Sequence, residues 1–332
     1  MSEIVMAASL SHAPGVLGWP DAPNQEVQKE IAAAHAAVAE AIDRTRPDVF
    51  IAFLDDHFEN QFRDMSPPFA IGVAPENVGP AKHWLEALKI DRQITVPNNE
   101  KLANYLLDGL LKSNFDITRM GELDYGNNLF VPMQMVRPQF DIPFVPVYSN
   151  VFNPPLPTMS RAYDLGRAIR KLIEAYPEPL KVGLIASGGI SHWPPFWTIE
   201  ADESDEFIAR MKRFQHEGPE YLKTDPGLFS DLALYEQEMS NKAKWPFNGG
   251  FRLINEEWDR EVLKAFEEGN VDYLRNLTYN DIERDGGHGG HEMLNWMALM
   301  GAMNGAGGKL LCYAPVMEWM CGMGYMLYEA KA

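Results

Sequence analysis

Apolar positions along this chain follow two spacings. In "EIVMAASL" (3–10), "PDVFIAFL" (47–54), "IPFVPVYSN" (142–150) and "LKVGLIAS" (180–187) nearly every position is apolar. That is the pattern of short strands covered on both faces. Between these runs stand "QEVQKEIAAAHAAVAEAIDRTR" (25–46), "NEKLANYLLDGLLKS" (99–113) and "MSRAYDLGRAIRKLIEAY" (159–176), whose apolar residues fall three and four apart. The spacing predicts helices there. Strand, helix, strand over residues 3–54 implies a right-handed crossover and a parallel pair made by the first two strands.

Further along, "DEFIARMKRF" (205–214), "DLALYEQEMSNKA" (231–243) and "DREVLKAFEEGNVDYLRNL" (259–277) are polar and helical in pattern. "HEMLNWMALMGAMNG" (291–305) is a strongly apolar helix, followed by strands at "KLLCYAP" (309–315) and "GMGYMLYEA" (322–330). The expected fold class is α/β: a single domain over 1–332, with a mixed, largely parallel central sheet flanked by helices and a helical insertion near 200–280.

Composition narrows the function classes. Of 332 residues, 46% are hydrophobic and 23% charged, an ordinary globular balance. The formal net charge of -18 argues against nucleic acid or an anionic membrane as partner, since both need a basic face. No apolar run reaches the roughly 18–20 residues of a membrane span. The first residues lack the basic flank and apolar core of a signal peptide. Two cysteines, Cys312 and Cys321, make no disulfide framework, and the expectation is a soluble, cytoplasmic protein.

Candidate chemistry sits at strand ends. His12 follows the first strand in "SLSHAPG", His57 follows the second in "DDHFENQF", and His192 follows the fourth in "SGGISHWPP". In open α/β sheets the carboxyl edge is where ligands bind, so parallel strands would gather these loops. A metal held by two histidines needs anionic oxygen. Asp55, Asp56 and Glu59 stand near His57, and Glu292 opens the late apolar helix, where an unpaired charge is costly. Glu292 could instead serve the helix dipole, and "HGGHE" could supply ligands by itself through His288 and His291. Two histidines and a carboxylate with open positions suit non-haem iron(II), and zinc with an activated water suits the same ligands.

Eight segments, "SLSHAPG", "DDHFENQF", "PPFAIGV", "VPVYSN", "SGGISHWPP", "NEEWDREVL", "HEMLNWMALMGA" and "GMGYMLY", follow one another along nearly the whole chain. In that order they resemble the catalytic beta-subunit family of class III extradiol ring-cleavage dioxygenases. The resemblance implies Fe(II) bound by His12, His57 and Glu292, with His192 acting on the substrate as acid and base. It implies O2 and a small aromatic substrate as partners, and a homo-oligomer or a complex with a small alpha subunit. One departure is Tyr125 in "ELDYGNNLFVPM", where the family commonly carries a second active-site histidine. The expectation is that Tyr125 orients a ring other than a simple catechol: a hydroxypyridone, an aminophenol or a substituted catechol. Asn127, Asn128 and Asn150 are expected polar contacts. Trp193, Phe196 and Trp197 are candidates to stack on the ring. The rival readings are a zinc hydrolase on the same fold and a non-catalytic scaffold subunit.

Overall fold

The computed structural model describes residues 1–242 and 253–329. The ends of two predicted elements, at Ala243 and Ala330, lie outside the described residues, as does the part of the predicted helical stretch at 243–252. Ten strands are present among the described residues: β1 (Glu3–Leu10), β2 (Val49–Asp55), β3 (Phe69–Gly72), β4 (Glu76–Gly79), β5 (Ile94–Pro97), β6 (Thr118–Met120), β7 (Phe144–Ser149), β8 (Lys181–Ser187), β9 (Lys309–Val316) and β10 (Cys321–Glu329). Eight of them form one sheet in the order β6-β3-β7-β2-β8-β1-β10-β9, and β4 pairs β5 separately.

The centre of the sheet, β7-β2-β8-β1, is all parallel, while β3 against β7, β10 against β1 and β9 against β10 run antiparallel. This is the mixed sheet expected. Every residue of β2 and β7 is buried, which is why both read as unbroken apolar runs. One pairing differs from expectation. β1 and β2 are parallel but not neighbours, because β8 lies between them and pairs with both. The crossover rule fixes direction and hand, and it leaves room for a later strand to enter between the two.

Helices cover the sheet. Gln25–Thr45 is capped by the Asn24 side chain, which accepts from the Glu26 and Val27 amides. Met293–Ala302 has all ten residues buried and packs against Met159–Glu174. The two backbones approach closely at Gly166 and Gly301, where any side chain would collide with the opposite helix's carbonyls. That close fit sets where the first turn of Met293–Ala302 points: at the carboxyl ends of β1, β8 and β2. The stretch 200–280 is helical where described, with Glu206–Glu217, Leu228–Lys242, Glu256–Glu268, Val271–Asn276 and Tyr279–Asp285. No helix among the described residues is long and apolar enough to cross a membrane.

Candidate metal centre

Register brings the strand ends together. Leu10 of β1 lies opposite Ser187 of β8, and β2 lies along the other side of β8. His12, two residues past β1, and His57, two past β2, therefore flank Ser187 from either side. Glu292 enters from above, at the end of the single 3-10 turn Gly289–Glu292 that leads into the apolar helix.

The side chains converge on one oxygen. Glu292 Oε1 lies 3.5 Å from His12 Nε2, 3.6 Å from His57 Nε2 and 3.4 Å from His192 Nε2. Donors that share an ion at about 2.1 Å stand roughly 3–3.5 Å apart, so the spacing suits one cation. Asp55 closes the group: among the described residues, His12, Asp55, His57 and Glu292 are the one set of four buried ligating groups within 4.8 Å of one another. Glu292 does not cap its own helix. Its Oε2 accepts from the Gly189 amide at 2.5 Å.

The supporting hydrogen bonds decide which nitrogen each ring presents. Pro132 sits inside the helix Asn127–Val136 and has no N–H for the Asn128 carbonyl four residues back. That carbonyl accepts instead from Ser187 Oγ. Ser187, having given its proton there, accepts from His12 Nδ1 at 2.8 Å. His12 Nε2 is thus the bare nitrogen, turned to the centre. Asn295, one turn after Glu292 on the same helix face, donates to Asp55 Oδ1 and to Ser187 O, both at 2.8 Å. His57 Nδ1 faces Asp55 Oδ2 at 3.1 Å, yet neither atom has an aligned hydrogen bond.

Electrostatics mark the group as costly when empty of a cation. Burial opposes the charged form of His57, but Asp55, Glu292 and Glu59 overcome it and raise its pKa to about 10. Burial likewise works against the Glu292 carboxylate, and His12 and His192 hold it well below the usual carboxylate range. Asp55 is 0% exposed and Glu292 1%, so both carboxyl groups are shut off from water. Ions buried this way cost several kcal/mol each unless paired. A divalent cation would give the converging imidazole nitrogens and Glu292 Oε1 a partner and offset the buried negative charge.

Above the centre is a small, partly open cavity. His12, His57, His192, Glu292 and Asn127 line it, with Trp84, Trp197 and Trp319 as walls. Trp197 stands edge-on to His57, with ring centroids 5.4 Å apart, and its carbonyl accepts from Arg63 at 2.5 Å. Phe196 packs against Trp197 from behind.

Three expected contacts are elsewhere. Tyr125 is fully buried with its hydroxyl 3.5 Å from Asn77 Nδ2, outside the cavity lining. Asn150 closes a turn, bonding the Asn153 carbonyl and amide. Trp193 lies over Gly287 rather than in the cavity. His288 and His291 both engage Glu283, at 3.3 Å and 3.0 Å, and take no part in the centre. Ser187, Asn295, Glu236 and Cys321 were not singled out from sequence, although all four touch or support the cavity.

The carboxyl edge of the mixed α/β sheet thus carries a buried two-histidine, two-carboxylate group that could hold a metal ion. The profile of the family described as the catalytic LigB subunit of aromatic ring-opening dioxygenase matches residues 6–327, and the chain belongs to that family, the extradiol ring-opening dioxygenases. Its relatives include 2,3-dihydroxyphenylpropionate/2,3-dihydroxicinnamic acid 1,2-dioxygenase of Paraburkholderia xenovorans, 30% identical over 97% of this chain and 96% of that one. The protein of the same description in Cupriavidus pinatubonensis is 28% identical over 97% of this chain and 98% of its own.

Proposed function

We propose that residues 1–332 form one non-haem Fe(II) dioxygenase domain that inserts both atoms of O2 into a catechol-like ring. His12, His57 and Glu292 hold the iron, and His192 is the acid–base residue. Asp55 takes the second nitrogen of His57 and does not ligate. The observation that carries this reading is the convergence of three imidazole Nε2 atoms on Glu292 Oε1, inside an aromatic-walled cavity.

When bound, iron(II) supplies a Lewis acid that lowers the pKa of the ring hydroxyls and a path for electrons from ring to oxygen. The chain's residues do the rest. His192 Nδ1 lies 3.2 Å from the Ile190 carbonyl, which only accepts, so Nδ1 carries the proton and Nε2 offers its lone pair to the cavity. Burial disfavours the His192 cation, while Cys321 and Glu292 raise its pKa well above the ordinary imidazole value. Glu292 committed to a cation no longer supports that charge, leaving the neutral base needed to accept a substrate hydroxyl proton. Returning the proton to the departing oxygen completes the cycle at the same Nε2. Trp84, Trp197 and Trp319 hold the ring and keep water away.

Oxygen uptake measured beside ring-opened product tests this on the Fe(II)-loaded protein, with catechols, aminophenols and dihydroxypyridines. One O2 consumed per ring opened is expected. Turnover of an ester or amide by the zinc-loaded protein, with no oxygen uptake in the iron form, would replace the reading with a zinc hydrolase.

A further inference from the structure

One ionisable group in the cavity is left idle by this chemistry. Glu236, on the helix Leu228–Lys242, lines the cavity alongside His57 and His192, and its charge acts on both. Beyond the histidines, the remaining walls are mostly indole, proline and methionine, with Asn127 and Cys321 the other polar groups. Among the described lining residues there is no lysine or arginine. A ring seated here meets a second carboxyl besides Glu292. Burial pushes the Glu236 pKa up to about 8, so the carboxylate form that accepts a hydrogen bond and repels an anion prevails above that pH.

We infer that Glu236 selects the substrate: it accepts a hydrogen bond from an N–H or O–H donor on the ring or its substituent, and it turns away rings whose substituent ends in a carboxylate. The inference rests on the ring-opening reading above. Among the described lining residues an anionic tail finds no lysine or arginine and sits beside Glu236 and Glu292, so its desolvation goes uncompensated. A neutral amide or amino group of the same size finds a partner in the same place. The relatives above are named for substrates that carry a propionate or cinnamic acid group. A preference for neutral substituents would set this chain's substrate apart from those.

Anaerobic binding to the Fe(II)-loaded protein above pH 8, where Glu236 is ionised, tests it with three probes: catechol, 3-(2,3-dihydroxyphenyl)propionate and the corresponding propanamide. The wild type is expected to bind the amide at least about tenfold tighter than the carboxylate. Glu236→Gln is expected to shrink that ratio severalfold, and the ratio within each protein cancels any general loss of affinity. A wild-type ratio near or below one overturns the inference even if the variant does not fold, and so does an unchanged ratio in a folded variant. Failure of catechol to bind or open in the wild type would instead sink the ring-opening reading.

Discussion

Replacing Ser187 by alanine probes the link between a proline in a helix and the metal centre. The hydroxyl bridges His12 Nδ1, 2.8 Å away, and the Asn128 carbonyl. Pro132 cannot satisfy that carbonyl, so the substitution strands two buried groups at once. Each orphan costs about 1–3 kcal/mol, giving about 2 kcal/mol or more of lost stability. The metal should feel it separately. Without an acceptor on Nδ1, the His12 ring loses both its orientation and its fixed tautomer, and losses of about 10–100-fold in metal affinity follow from such changes. Anaerobic competition of the protein against a chelator for ferrous iron measures this. Pro132→Ala, which returns an N–H to Asn128, should weaken iron binding in the same direction by less. A Ser187→Ala protein that folds and binds iron as tightly as wild type would refute the proposed chain of bonds.

His192→Gln should lower kcat by about 10²–10⁴-fold with iron content unchanged, read by steady-state rates and metal analysis. Gly289→Ala should do the same more mildly, because a Cβ there collides with His192 Nε2; unchanged rates would place that nitrogen outside the reaction. For the metal-free protein, the His57 pKa stands raised from 6.5 to about 10, so the folded form holds this proton more tightly than the unfolded one. That stabilisation is complete below pH 6.5 and is lost as the pH climbs toward 10. The metal-free melting temperature should therefore fall across this window, and the iron-loaded one should fall less. A metal-free melting temperature that rises there would contradict the assignment.

The central strands were legible because parallel strands buried on both faces leave unbroken apolar runs, as in β2 and β7. β3 and β6 were not read as strands: they span four and three residues, and β6 exposes two of its three positions. The helix Asn127–Val136 hid for the opposite reason, since eight of its ten residues are buried and no polar stripe marks its period. His12, His57, His192 and Glu292 could be picked out because each follows a strand or glycine-rich turn signal. Ser187 and Asn295 could not, because their roles arise only when β8 lies between β1 and β2. Tyr125 illustrates the limit: the family resemblance led to the expectation of an active-site role, while its phenol oxygen accepts from Asn77 Nδ2.

Anomalous scattering at the iron edge, from crystals loaded with ferrous iron under anaerobic conditions, tests the central claim most directly. A single peak within bonding distance of His12 Nε2, His57 Nε2 and Glu292 Oε1 is the predicted result. Iron at Glu283, His288 and His291, or no peak between the strand ends, would contradict it.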